Sequence, residues 1–161
     1  MLRVLIPAAA CSMVVAVAAV VNAGGKTQRT TTLRFDETNP RISVVDIPPA
    51  NAGEAPEAGD TVLFVSDLVS GGRKVGTKRG SCTVVDAPLA ECMATLTFSG
   101  GHVTVVDTFN LAPEFGPRGV QRIAFSGGTG AYRGAYGDGR VTQINNARSR
   151  WVVALTRPDR P

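Results

Sequence analysis

The sequence predicts an all-β protein, either an antiparallel barrel or a sandwich. Eight or nine β-type runs are separated by Gly, Pro and Asn turns, and no stretch has convincing helical periodicity. In the run from Val62 to Leu68 both faces are partly apolar, with Leu63 and Val65 on one side and Phe64 on the other. A strand that is apolar on both faces favours a barrel whose lumen and outer surface are each covered.

The predicted strands all belong to one domain. They lie near 31–35 and at 42–47, 61–68, 74–85, 92–98, 102–110, 120–126, 140–144 and 150–156. Asp36–Pro40 is expected to be a turn, and 48–59, which has three prolines and no large apolar residue, a surface loop. Residues 24–58 therefore hold the N-terminal strands and this loop, 59–156 the remainder of the barrel, and 157–161 a loose tail.

The N-terminus is typical of a secretory signal peptide. Arg3 supplies one positive charge, the run from Val4 to Val21 is apolar, and small residues lead to Ala23. We expect cleavage after Ala23, so that residues 1–23 are removed and the mature chain is secreted to the extracellular space or the cell envelope without stable membrane insertion. The alternative is an uncleaved membrane anchor, because the apolar run just reaches spanning length.

Charge and histidine content argue against two classes of function. The chain has 17 Lys and Arg against 13 Asp and Glu, but the basic residues are scattered without a helix or ladder to collect them, so nucleic-acid binding is disfavoured. The single histidine, His102, cannot anchor a multi-histidine metal site, and no acidic or cysteine cluster accompanies it. We expect neither a metal nor a cofactor.

Glycines are concentrated between Ile123 and Val141, in the stretch IAFSGGTGAYRGAYGDGRV. No Lys-Ser/Thr pair follows Gly130, which excludes a Walker loop, and the glycine spacing misses the dinucleotide fingerprint by one residue. The stretch instead predicts a sharp corner between two strands, where glycine permits positive φ and close backbone approach.

Two cysteines, Cys82 and Cys92, remain after the leader is removed. They flank a Pro-containing turn between two predicted strands, so they can meet across a hairpin, and an exported chain favours oxidation. A disulfide is the preferred interpretation. Two free buried thiols, or one reactive thiol, are the alternative.

The glycine stretch also carries a family resemblance. FSGGTGAYRGAYG resembles the signature of the allene oxide cyclase and dirigent superfamily, and AGDTVLF from Ala58 and KVGTKRGSCTVV from Lys74 fit the same family in order. The similarity covers roughly Gly59 to Ile144. It implies an eight-stranded antiparallel barrel, often oligomeric, in which a dry lumen folds an apolar substrate for cyclisation or coupling.

The resemblance also implies positions for functional residues. The cysteine of plant allene oxide cyclases falls on Cys82, their pocket Asn on Ser66 and their pocket Tyr near Phe109, while their catalytic Glu has Asp36 or Glu37 as counterparts. Among the dirigent arginines, the earlier one matches Arg133 and the later one is replaced by Tyr136. These substitutions disfavour the fatty-acid epoxide reaction itself.

The candidate site is therefore the barrel lumen. We expect it to be lined by Phe64, Ser66, Leu96, Val105, Phe109 and Tyr132. Asp67 and Asp107 are mid-strand acids that would gain a raised pKa if they faced this lumen, although an outward position is favoured. Asp67 and Arg133 are the candidate catalytic groups, the latter beside Tyr132 at the corner.

Two functions follow from this interpretation. In the first, the barrel binds a small apolar molecule in its lumen and steers the reaction of that molecule by positioning it. The protein would then be an isomerase or cyclase, or a dirigent-type guide. In the second, the barrel binds its ligand or assembles as a structural protein without catalysis. In both, the partners are a small apolar molecule and further copies of the chain.

Overall fold

The computed structural model describes residues 17–21, 27–46, 57–110 and 119–158, and these residues form antiparallel strands with almost no helix. The strands are β1 Val17–Val21, β2 Thr27–Val45, β3 Thr61–Ser70, β4 Arg73–Asp86, β5 Leu89–Phe98, β6 Gly101–Asn110, β7 Val120–Gly128, β8 Tyr136–Asn145 and β9 Arg148–Pro158. Each strand pairs with its neighbour in sequence, and β2 also pairs with β9. Strands β2 to β9 therefore close an eight-stranded barrel, which confirms the predicted fold.

The closure between β2 and β9 runs along much of both strands. It begins with Gln28 opposite Pro158 and ends with Thr38 opposite Arg148. The register is continuous between these residues, so the barrel has no exposed strand edge along this seam.

Strand β2 differs from the prediction of two strands separated by a turn at Asp36–Pro40. Asp36 and Thr38 are paired within the sheet, and the register with β3 shifts only between Thr38 and Arg41. Asn39 has a φ of 52°, a left-handed conformation that asparagine tolerates, and it lies beside Pro40, which cannot donate to a ladder. The turn-forming residues thus make a β-bulge that bends one long strand.

The two ends of the barrel are different. One end, which we call the open end, is where β2, β4, β6 and β8 finish and β3, β5, β7 and β9 begin. The other, which we call the closed end, carries the turns Gly71–Gly72 and Ser99–Gly100. Near the closed end the lumen is filled by buried side chains, among them Phe35, Leu68, Leu96, Phe125 and Leu155.

The glycine corner lies at the closed end, where the residues Gly130–Tyr132 form a single 3-10 turn. The backbone N–H of Ala131 donates to the carbonyl of Gly100 at 2.7 Å, which ties the corner to the turn between β5 and β6. Gly130 has a φ of 57°, and a Cβ there would lie 2.3 Å from the Gly100 oxygen. Only glycine fits this approach.

Much of the predicted leader and of the surface loop lies outside the described residues. Residues 1–16, 22–26, 47–56, 111–118 and 159–161 are not described. Within the predicted leader, β1 pairs with the start of β2, from Val17 opposite Thr31 to Val21 opposite Thr27. Among the residues that are described, no helix is long and apolar enough to cross a membrane.

Candidate functional site

A cavity of about 290 Å³ occupies the half of the lumen nearer the open end. Its walls are mostly apolar, and Ile42, Gln121, Gln143 and Asn146 lie around its mouth. The apolar lining comes from alternate residues of successive strands, including Val62, Phe64, Ala94, Val105, Phe109 and Val141. This volume is just below the roughly 300–1,000 Å³ typical of ligand sites, so the cavity suits a small ligand.

Polar side chains also lie on the wall, and a buried cluster of them is centred on Glu37. Its Oε1 accepts a hydrogen bond from the Ser66 hydroxyl at 2.6 Å and lies 2.6 Å from Nζ of Lys78. Its Oε2 accepts a hydrogen bond from the indole N–H of Trp151 at 3.0 Å. Three donors from three other strands therefore hold the carboxylate in one orientation.

The cluster is largely removed from solvent. The side chains of Lys78 and Glu37 are 14% and 10% exposed, and Ser66 and Trp151 are buried. Lys78 Nζ also lies 4.5 Å from the centre of the Phe64 ring and 5.1 Å from that of Trp151. These two rings stabilise the ammonium by cation–π attraction, which is stronger where water is excluded.

Strand alternation brings these residues together. Phe35 and Glu37 point inward from β2, Ser66 from β3 and Trp151 from β9, and Lys78 stands directly opposite Ser66 in the pairing of β3 with β4. This register allows the carboxylate of Glu37 on β2 to meet the ammonium of Lys78 on β4, although β3 lies between the two strands. Long side chains are needed for this contact, and both Glu and Lys have them.

Gly80 makes room for one wall of the cluster. A Cβ on this residue would lie 2.7 Å from Cζ of Phe64 and 2.3 Å from the carbonyl oxygen of Met93. The Phe64 ring therefore lies over a position with no side chain, which leaves it free to face Lys78.

The predicted disulfide joins Cys82 to Cys92, which are directly opposite in the pairing of β4 with β5. Both cysteines are buried and line the cavity. The preferred sequence interpretation is confirmed, and the thiol that the family resemblance places at Cys82 is held as a disulfide.

The structure distributes the predicted lumen residues along the barrel axis. Phe64, Val105 and Phe109 line the cavity. Ser66 does not line it, but its hydroxyl donates a hydrogen bond to Glu37, which does. Leu96 belongs to the packed core beneath the cavity. Tyr132 is at the closed end, where its ring centre lies 5.7 Å from that of Phe98.

The two predicted catalytic groups lie outside the cavity. Asp67 follows Ser66 and therefore points to the opposite face of β3, where its Oδ1 lies 2.5 Å from Nζ of Lys74. Hydrogen bonding to Lys74 is the main cause that holds the pKa of Asp67 below its usual value. Arg133 is exposed after the corner at the closed end. Asp107 is half-buried and accepts a hydrogen bond from the backbone N–H of Thr108 at 2.8 Å.

Sequence reasoning named Glu37 only through the resemblance and did not identify Lys78 or Trp151. A usable signal exists for Lys78, because it shares a strand face with Cys82 and Val84, which alternate inward from β4. Trp151 is the single tryptophan of the chain and lies between Arg150 and Val152 in a predicted strand. No cluster of three His, Cys, Asp or Glu side chains that could hold a metal ion occurs in the described ranges.

Comparison with known proteins gives matches in structure alone. No family model matches the chain, and no curated protein matches it. A pyocyanin demethylase superimposes with a TM-score of 0.65 at 20% identity, covering 77% of this chain and 98% of that one. A pterocarpan synthase dirigent protein gives a TM-score of 0.64 at 20% identity, covering 83% and 88%.

A third solved structure is that of a nonspecific heme-binding cyclase that catalyses a [4 + 2] cycloaddition during neoabyssomicin biosynthesis. It is 20% identical with a TM-score of 0.63, and the match covers 82% of this chain and 68% of the cyclase. These similarities extend over most of the described barrel. The chain therefore has the same barrel fold as these three proteins.

Proposed function

We propose that the barrel binds a small, largely apolar molecule carrying one carbonyl or hydroxyl group and directs its cyclisation or isomerisation. The observation that carries the proposal is the Lys78–Glu37 pair, the one buried ion pair among the described residues, on the wall of a mostly apolar cavity. An apolar cavity with few, well-placed polar groups is the usual form of a small-molecule site.

The paired charges favour a neutral polar group on the ligand. Glu37 repels a carboxylate and Lys78 repels an ammonium, and each is already compensated by the other at 2.6 Å. The carbonyl oxygen of a ligand can instead accept a hydrogen bond from a remaining N–H of the Lys78 ammonium, since an ammonium has three donors. A hydroxyl can do the same.

The chemistry needs no further reactant. In a cyclisation or isomerisation, bonds are rearranged within one molecule, so atoms and electrons balance without an oxidant or reductant. The apolar walls would hold a flexible substrate in one folded conformation, which lowers the barrier by removing rotational freedom in advance. Lys78 would stabilise negative charge that develops on the carbonyl oxygen in the transition state, and Glu37 with Ser66 and Trp151 would keep the ammonium in place.

Trp151 provides the binding assay, because it is the single tryptophan and lines the cavity. We would titrate its fluorescence with 2-octanone, octanol, octanoate and octylamine, which share a chain length and differ in the polar end. We expect saturation with the ketone and the alcohol, and weaker binding of the two charged ligands. Equal binding of all four, or none, contradicts the proposed role of the pair.

Matched variants test whether the ligand is in the lumen. Ala94→Phe fills the cavity, and Ala124→Phe adds the same bulk on the exposed face of β7. We expect only the first to abolish the fluorescence change. Val62→Phe, nearer the open end, serves the same purpose should Ala94→Phe fail to fold.

Native mass spectrometry of protein from its own source tests for catalysis. An isomerisation conserves mass, so a retained molecule that changes chromatographic retention at constant mass after incubation identifies a product. A retained molecule that is never converted, by the wild type or on addition of fresh compound, supports the second function, a non-catalytic ligand-binding barrel.

We further propose that the chain is exported after cleavage behind Ala23. The support is the N-terminal sequence together with the Cys82–Cys92 disulfide, since disulfides persist in oxidising compartments. Cleavage would remove β1, but β2 still closes on β9. Mass analysis of the secreted protein should show a chain starting at Gly24, and a full-length mass would contradict cleavage.

The proposed homo-oligomer is supported by an apolar row on the outer surface. Leu63, Met93 and Val106 are exposed and, with Ser81 between the first two, are neighbours across β3 to β6. Light scattering of the wild type should give a mass that is a multiple of the monomer mass. Met93→Glu should lower this measured mass towards that of the monomer. A monomer at all concentrations would refute the proposal.

A further inference from the structure

A strongly basic surface forms on the outside of the barrel where β2 and β9 close it. Five exposed arginines define this surface, which we call the arginine face: Arg34, Arg122, Arg140, Arg148 and Arg150. They are distant in sequence, and each alternates with an inward-facing buried neighbour such as Phe35, Ile123 or Trp151.

Strand register places three of the five in one line across four strands. Arg34 on β2 is opposite Val152 on β9, Val152 is opposite Arg140 on β8, and Arg140 is opposite Arg122 on β7. Since adjacent strands are about 4.8 Å apart, the line is roughly 14 Å long. The next outward row adds Arg150, opposite Asp36.

The arginine face has little compensating charge. Asp36 contacts both Arg148 and Arg150, with its Oδ1 3.3 Å from Nε of Arg150. Arg34, Arg122 and Arg140 form no ion pair with any residue that the structure describes. Five arginines and one aspartate leave four positive charges, equal to the formal net charge of +4 of the whole chain.

Asp138 lies at the margin of the arginine face. It precedes Arg140 by two residues on the same strand face and is opposite Ala124 and Ala154. It therefore borders the line of arginines without separating its members. Unpaired like charges held this close by a rigid sheet repel one another, and a bound anionic chain relieves the repulsion.

We propose that the arginine face binds an acidic polysaccharide, an extended polymer with carboxylate or sulfate groups along its length. The planar guanidinium binds both groups through two parallel hydrogen bonds, which lysine cannot do. Guanidinium groups on β2, β8 and β7, with Val152 of β9 between the first two, suit a polymer with separated charges that lies across the strands.

Duplex DNA, single-stranded nucleic acid and an anionic membrane fit the surface less well. Duplex DNA is read by a helix or a two-stranded ribbon that enters its groove, whereas the arginine face is the side of a closed barrel. Single-stranded nucleic acid is held by aromatic stacking, and the arginine rows contain Val120, Thr142 and Val152 but no aromatic residue. The same rows lack the large apolar anchors that hold a protein in a membrane interface.

The test compares two triple variants with the same change in charge. Arg34, Arg122 and Arg140 are replaced by Ser in the first variant, and Arg73, Arg79 and Arg133, which are exposed elsewhere, are replaced by Ser in the control. Binding to immobilised polygalacturonate, dextran sulfate and neutral dextran is measured by biolayer interferometry over a range of salt concentrations.

We expect the wild type to bind an acidic polymer but not neutral dextran, with affinity that falls as salt rises. The first variant should lose affinity roughly tenfold or more, and the control about twofold or less. The polygalacturonate and dextran sulfate measurements distinguish carboxylate from sulfate recognition. If the first variant does not fold, Arg140→Ser is compared with Arg79→Ser in the same way.

Three results would overturn the proposal. They are equal losses in both triple variants, no binding to either acidic polymer, and tighter binding to duplex DNA or to phosphatidylglycerol vesicles than to both polymers. The octanol titration of Trp151 serves as an independent measurement of the lumen, so failure of this proposal is distinguishable from failure of the proposed function.

Discussion

Replacing Lys78 with Met tests whether the Lys78–Glu37 pair is a buried, coupled unit. The pair is separated by 2.6 Å, and its side chains are only 14% and 10% exposed. Removing one partner of such a pair leaves the other charge desolvated, which typically costs about 3–5 kcal/mol. We therefore expect Lys78→Met to lower the free energy of unfolding by about 3 kcal/mol or more.

Glu37→Gln is the second single variant of a double-mutant cycle with Lys78→Met. Lys78 then keeps the Phe64 and Trp151 rings, which contribute about 2 kcal/mol to a desolvated cation, so the loss should be at the lower end of the same range. In the double variant neither charge remains, and we expect it to be more stable than the sum of the single losses implies. The coupling energy should be about 2–3 kcal/mol.

Urea unfolding followed by circular dichroism measures all four proteins without relying on Trp151, which touches the mutated site. At roughly 2–4 °C per kcal/mol, Lys78→Met should also lower the melting temperature by about 6–12 °C. Additive single losses, with coupling below about 0.5 kcal/mol, would show that the pair is solvated and would refute the reasoning.

The outer surface of the barrel supplies a matched control for this cycle. Lys74 and Asp67 have nearly the same separation, with 2.5 Å between their charged atoms, but the side chains are 56% and 28% exposed. Water and salt screen such a pair, so Lys74→Met and Asp67→Asn should show no coupling beyond experimental error.

Three further predictions concern the disulfide, the closed end and the wall beside Phe64. Reducing the Cys82–Cys92 disulfide, with a sequence separation of 10, should lower the free energy of unfolding by about 2–3 kcal/mol in urea titrations. Burial is the main cause that raises the pKa of Tyr132, so this phenol ionises in the unfolded chain before it does in the folded one. The free energy of unfolding should therefore fall as the pH rises above about 10, and it should fall less in Tyr132→Phe. Gly80→Ala should destabilise the barrel by about 1–3 kcal/mol, because its Cβ would lie 2.3 Å from the Met93 carbonyl oxygen.

Each of these predictions has its own control. A Cys82→Ala and Cys92→Ala double variant should be insensitive to reductant, and equal sensitivity would remove the disulfide as the cause. At about pH 8 the Tyr132 phenol is neutral in both the folded and the unfolded chain, so the wild type and Tyr132→Phe should show the same pH dependence there. The added Cβ of Gly100→Ala would meet only side chains, Ala131 at 3.2 Å and the Tyr132 ring at 3.9 Å, so this variant should be milder than Gly80→Ala. An equal loss would contradict the steric argument.

Local patterns in the sequence were sufficient to predict the strands, because an alternating run specifies a strand wherever it pairs. They failed at Asp36–Pro40, where turn-forming residues are absorbed into a bulge of β2. Composition describes the conformations that Asn39 and Pro40 prefer, but the pairing of Asp36 and Thr38 on both sides of the strand outweighs that preference.

The candidate site was less predictable, because its residues meet only after the barrel closes. Glu37 is 29 residues from Ser66 and 114 from Trp151, so no local window contains the cluster. Alternation already separates Asp67 from Phe64 and Ser66, and the structure places it on the outer face beside Lys74. The arginine face was invisible for the same reason, since Arg34 and Arg140 are neighbours only through β9.

The pairing of β2 with β9 also affects when the chain can fold. Thr38 and Arg148 belong to opposite ends of the sequence, so the barrel cannot close until nearly the whole chain has been synthesised. Contacts of such long sequence separation form slowly, because the entropy of closing the intervening chain opposes them. A nascent chain that emerges from the ribosome therefore stays open for most of its synthesis, and a translocation machinery that accepts only unfolded chains could engage it during that interval.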